Sequence, residues 1–148
     1  MDMMPRLHYG VLFCLLVFGL LACSSSTDNT AEFNSQKFYF LESLKQVESG
    51  GKQLQATGLG NEALQQALQT LDQGLKLAFQ VERDFLDKLD LRLGKNYQRY
   101  FIEGVENYRI GIEAGDEVQQ REGLRKLQQW AQFWRAERQL IQVKLHPE

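Results

Sequence analysis

The chain has 148 residues, with 17 Lys and Arg against 19 Asp and Glu and a formal net charge of −2. A balance so near neutrality makes no strong field, which argues against nucleic acid as a partner held by bulk charge. With two cysteines, Cys14 and Cys23, and two histidines, His8 and His146, the chain has few thiolate or imidazole groups for metal, haem or nucleophilic chemistry.

The first 22 residues have the three parts of a secretory signal: a start with Arg6, an apolar run from Val11 to Leu21, and a small residue, Ala22. The run falls well short of the roughly 20 apolar residues that cross a bilayer as a helix. The closing stretch, Leu20-Leu21-Ala22-Cys23, resembles the lipobox of bacterial lipoproteins. That resemblance implies cleavage before Cys23, a diacylglyceryl group on its thiol and acylation (palmitate and similar chains) of the new amino terminus. It also implies an envelope protein held in a membrane. Ser24 stands where an Asp would favour the inner membrane in that family, so the outer membrane, facing the periplasm, is the expected site.

Excising residues 1–22 of 148 leaves 126, enough for one domain with a core of its own. Cys14 leaves with the signal and Cys23 carries lipid, so the domain is expected to hold by packing, without a disulfide. Residues 23–30, the lipidated cysteine followed by Ser24-Ser25-Ser26-Thr27-Asp28-Asn29-Thr30, read as a flexible polar tether.

Residues 31–148 are expected to form an all-α domain, an antiparallel bundle of four helices. Proline is absent from Ala31 until Pro147, helix formers are abundant, and no alternating run suggests a strand. The first helix is expected over about 31–56, with Phe33, Phe40, Leu44, Val47 and Leu54 on one stripe and Phe38 and Leu41 widening it. Gly50-Gly51 reads as an early break or turn, and Thr57-Gly58-Leu59-Gly60 as a clear one. Asn61 is the expected cap of a second helix whose seam is Leu64, Leu68, Leu71, Leu75, Ala78, Phe85 and Leu89, interrupted only by Glu82. Gly94 admits two readings: a break with Asn96 starting a new helix, which is preferred, or one helix over 61–114 with a continuous stripe through Phe79, Leu86, Leu93, Tyr97, Phe101, Val105, Tyr108 and Ile112. Gly104 and Gly111 suggest close approach of a neighbouring helix. Ala114-Gly115-Asp116 reads as a stop followed by an N-cap. The last helix is given the seam Leu124, Leu127, Ala131, Trp134, Ile141 and Leu145, interrupted at Arg138, with Trp130, Phe133 and Leu140 beside it.

No catalytic, metal or cofactor motif emerges. His146 is the one histidine after the signal. No Glu-x-x-His pair, Cys-x-x-Cys-His, phosphate-binding loop or dinucleotide fingerprint occurs. The acidic run Glu82, Asp84, Asp87 and Asp90 interleaves with Arg83, Lys88 and Arg92 at helical spacings, as a solvated, partly paired face does. Glu82 and Arg138 each interrupt an apolar seam, and a buried or half-buried ion pair between them is expected. Tyr97, Tyr100, Phe101, Tyr108, Trp130, Phe133 and Trp134 exceed what two seams need. Most belong to a core, but Tyr100, Trp130 and Phe133, with Arg99, Arg109 and Arg135 near them, are expected to present a partner-binding patch.

These features lead to a lipid-anchored, non-catalytic envelope protein that binds a protein partner in an assembly, escort or accessory role. In size and architecture it is similar to helical pilotin lipoproteins, which escort secretion-pore subunits to the outer membrane. The alternative is a carrier or sensor of an apolar small ligand or lipid within the bundle.

Overall fold

The computed structural model describes residues 25–56 and 60–146. The expected signal (residues 1–22), Cys23, Pro147 and most of the expected turn at 57–60 therefore lie outside the described residues. The chain divides into two compact units, Met1–Glu32 and Phe33–Glu148. The second holds the core and both clefts described below.

The described chain is all-helical: α1 (Ser25–Leu54), α2 (Asn61–Ala78), α3 (Arg83–Leu89), α4 (Leu93–Asn96), a π-helical segment (Tyr97–Ile102), α5 (Glu103–Ala114) and α6 (Glu117–Leu145). No strand occurs among the described residues. No described helix is long and apolar enough to cross a membrane.

Helix α1 starts at Ser25, so the expected coil of the tether is helical from that residue on. Once a helix is nucleated, each added residue gains a hydrogen bond, and polar residues extend it at little cost. Gly50-Gly51 does not end α1 either. Gly50 is buried inside it, and a Cβ there would stand 2.8 Å from Leu71 Cδ2 and 2.9 Å from Leu71 Cγ. Gly74 on α2 approaches α1 likewise, its notional Cβ 2.7 Å from Val47 Cγ2. The pairs 50 with 71 and 47 with 74 run in opposite senses, which makes α1 and α2 antiparallel neighbours. Phe40 lies at the centre of the core and Leu41 is half-buried, but Phe38 points outward, 57% exposed.

The seam of the second helix is buried at Leu68, Leu71, Leu75 and Ala78 and continues at Phe85 and Leu89. The helix is nevertheless two helices. The chain opens at Glu82, which is extended at φ −75°, ψ 138°. Gly60 rather than Asn61 holds the N-cap position of α2, without a side-chain cap. Asp90 makes the next break, extended at φ −157°, ψ 132°, with its Oδ1 accepting from Arg92 N at 2.8 Å. Gly94 is neither a break nor part of one helix running from α2. It lies within α4, and the helical run continues from Leu93 to Ala114 through the π segment. A wider π turn brings residues five apart toward one face, and Tyr97, Phe101 and Ile102 are all buried.

Gly115, at φ 67°, and Asp116 close α5 and open α6 as expected. Asp116 Oδ1 accepts from Val118 N at 2.9 Å and Gln119 N at 3.0 Å. Helices α5 and α6 form a tight hairpin. A Cβ on Gly111 would meet Gln120 N at 2.6 Å, one on Gly104 would meet Leu127 Cγ at 3.1 Å, and one on Gly123 would run into Tyr108 N. The expected close approach at Gly104 and Gly111 is present, with Gly123 as its third member.

Candidate functional site

Gly123 also sets the rotation of α6. The inward positions are Gly123, Trp130, Ile141 and Leu145, with Leu127 and Trp134 packed against the core. Leu124 is 42% exposed and Ala131 is exposed. The seam is thus turned from the one that counting apolar residues selects, because the contact that positions the helix is made by a residue with no side chain.

That rotation removes Trp130 from the expected partner patch. It is 6% exposed, and its ring centroid lies 5.7 Å from Tyr97, 5.3 Å from Phe101, 5.8 Å from Phe133 and 5.7 Å from Trp134. Phe133 and Tyr100 are half-buried against the core, each beneath a guanidinium: Arg92 at 5.8 Å and Arg99 at 5.5 Å from the ring centroids. Arg99 and Arg135 are exposed. Arg109 is half-buried and held by Glu113 at 2.8 and 2.9 Å, with its buried Nε lacking a hydrogen-bond partner. Of the six, then, Trp130 is buried, Tyr100, Phe133 and Arg109 are half-buried, and Arg99 and Arg135 are exposed.

The Glu82–Arg138 pair does not form among the described residues. Both side chains are exposed. Glu82 interrupts its seam because the chain opens there, and Gln36 Oε1 accepts its backbone N–H at 2.7 Å. The ion pair that joins the α3–α4 connection to α6 is Arg92 Nη2 to Glu137 Oε1, at 2.6 Å.

At the core, Ser43 Oγ donates to Phe40 O at 2.7 Å and lies 2.6 Å from Tyr97 Oη. With the serine proton committed, the Tyr97 hydroxyl is the donor of the second bond. Burial holds this phenol well above its ordinary value, opposed in part by the Ser43 hydrogen bond. His146 accepts at Nδ1 from Lys37 Nζ at 3.0 Å. Among the described residues no group of three or more His, Cys, Asp or Glu could hold a metal ion.

One concave feature among the described residues is a cleft of about 330 Å³ between α1, α2, α5 and α6. Val47, Leu71, Val105, Leu124, Leu127 and Ala131 make its walls, and Gln55, Tyr108 and Gln128 supply polar groups. Glycines draw α1 to α2 and α5 to α6, whereas Phe40, Tyr97, Trp130 and Trp134 fill the space between the two pairs further along. The cleft lies where that aromatic filling ends. Its lining contains no acid, base or thiol, so its chemistry is apolar contact with a few hydrogen bonds. A second, smaller cleft of about 250 Å³ is lined by Val81, Arg83, Leu86, Gly94, Tyr97, Gln98 and Ile102. Its cation, Arg83, is tied to Asp87 at 3.3 Å.

Sequence spacing could not reveal the larger cleft, because its walls come from four helices. Comparison with known proteins finds no family model, no curated protein and no solved structure that matches the chain.

Proposed function

We propose that this chain is a lipid-anchored envelope protein whose non-catalytic helical domain, a bundle of antiparallel neighbours, binds a protein partner through the cleft between α1, α2, α5 and α6. The anchor is Cys23, by the lipobox resemblance of Leu20-Leu21-Ala22-Cys23. The expected location is the outer membrane, facing the periplasm. What supports partner binding is the cleft itself: apolar walls open to solvent, with Gln55, Gln128 and Tyr108 beside them. A partner's apolar side chain would bury surface there while its backbone meets the polar groups.

The test is a photo-crosslinking side chain at Leu124 or Gln128 in cells that make the acylated chain, with Gln139, exposed on α6, as the control position. One envelope protein captured at the cleft positions, absent at Gln139 and lost with Leu124→Glu, supports the reading. Equal capture at all three positions overturns it. Cys23→Ala reports separately on the anchor, since it should release the chain from the membrane fraction.

A second reading, a carrier of an apolar small ligand, draws on the size of the same cleft, which falls at the low end of the roughly 300–1,000 Å³ of ligand pockets. Under it, Leu124 and Gln128 would crosslink to lipid or another small molecule and to no protein.

A further inference from the structure

We propose that Leu91, Leu140 and Val143 form a contact face that rests on the lipid bilayer and so fixes the orientation of the domain. This rests on the acylation of Cys23 proposed above.

These three side chains are 87%, 68% and 71% exposed. Single apolar side chains on a surface are ordinary, but a cluster requires an explanation. Their adjacency follows from the polar contacts around them. Arg92, next to Leu91, bonds Glu137 at 2.6 Å and lies 5.8 Å over the Phe133 ring. Lys144 Nζ donates to Leu89 O at 2.6 Å. Positions 133, 137, 140 and 144 fall on one stripe of α6, so Leu140 projects between two residues fastened to the segment that carries Leu91. Val143 lies one turn beyond Leu140. Leu91 itself sits in a connection locked by Asp90 Oδ1 on Arg92 N. Turns favour Gly, Pro, Asn, Asp and Ser, and here a leucine is held outward.

The occupant follows from where the chain enters the unit. Phe33 packs edge-on against Phe85 at 5.5 Å, Gln36 holds Glu82 N, and Lys37 holds His146. The first turns of α1 in this unit thus touch α3 and the end of α6, the two elements that flank the apolar face. Cys23 precedes Phe33 by ten residues. Even fully extended, ten residues span at most about 35 Å, so an acylated Cys23 would hold Phe33, and with it this end of the unit, within about that distance of the bilayer. The cleft lies along α6 from the face, roughly 14 Å from Ala131 to Leu140 at 1.5 Å per residue. A bilayer contact at one end therefore leaves the partner cleft open at the other.

The experiment uses the full acylated chain in vesicles of phosphatidylethanolamine and phosphatidylglycerol. No cysteine follows Cys23, so Leu91→Cys, Leu140→Cys and Val143→Cys each take one environment-sensitive dye. Val118→Cys, 68% exposed at the other end of α6, is the control. The expected result is a blue shift and several-fold stronger quenching by nitroxide lipid at the three face positions than at Val118. Equal quenching at all four overturns the proposal, as does a shift at the face that needs added envelope protein and not lipid. Mass spectrometry of the same sample separates the causes: an acylated chain without quenching refutes the bilayer face alone, and an unacylated Cys23 refutes the anchor and the face together.

Discussion

The side-chain oxygen of Gln36 accepts the backbone N–H of Glu82 at 2.7 Å, across 46 residues of sequence. Gln36 is 8% exposed, and the bond satisfies an amide freed where α2 has ended and α3 has not begun. Gln36→Leu keeps the volume and removes the acceptor. An unpaired, partly buried amide costs about 1–3 kcal/mol, so the variant should lose about 1–2 kcal/mol in urea unfolding. Glu82→Ala, which keeps the backbone N–H, should lose much less.

Tyr97 predicts a pH dependence. Its folded-state value is raised, so the folded chain retains a phenolic proton that the unfolded chain releases near the ordinary value of 10.0. The stabilisation is whole below that pH and falls as the pH rises above it. Tyr97→Phe removes the hydroxyl bond to Ser43 and should cost about 1 kcal/mol at neutral pH. It should also flatten the loss of stability above pH 10, measured by chemical denaturation across the alkaline range.

Two adjacent glycines should respond with opposite signs. A Cβ at Gly51 meets nothing within 4 Å, whereas one at Gly50 meets Leu71 at 2.8 Å. Gly51→Ala should stabilise by about 0.5–1 kcal/mol, since alanine is the better helix former. Gly50→Ala should destabilise by about 1–3 kcal/mol through overpacking. Melting temperatures of the two variants, measured side by side, decide it.

Gly123→Ala should be the more damaging substitution in the α5–α6 hairpin, because its Cβ would run into backbone atoms of Tyr108, which cannot rotate away. A loss of more than about 2 kcal/mol is expected. Asp116→Ala, which removes the N-cap of α6, should cost about 1 kcal/mol.

Much of the fold was legible from spacing. The all-helical class, the seam from Leu68 to Ala78 and the Gly115-Asp116 stop and start follow from local rules that act over a few residues. What misled was any position whose role is not apolar. On α1 the residues at 36, 43 and 50, seven apart, are Gln, Ser and Gly. Each is buried for a reason found elsewhere in the chain: Glu82 N, Tyr97 Oη and the Leu71 side chain. A hydrophobicity pattern scores all three as surface. The same blindness turned the seam of α6 by missing Gly123, placed Trp130 on the surface, and read the chain opening at Glu82 as half of an ion pair.

The sequence by itself determined the helical class and the caps at 115 and 116, because each depends on residues near one another in the chain. Only the tertiary structure decided which face of α6 turns inward, where α2 and α3 part, and that α1, α2, α5 and α6 leave a cleft where the aromatic filling stops. Those outcomes depend on how closely two helices approach, and here that distance is set by glycines and buried polar groups whose partners lie elsewhere in the sequence.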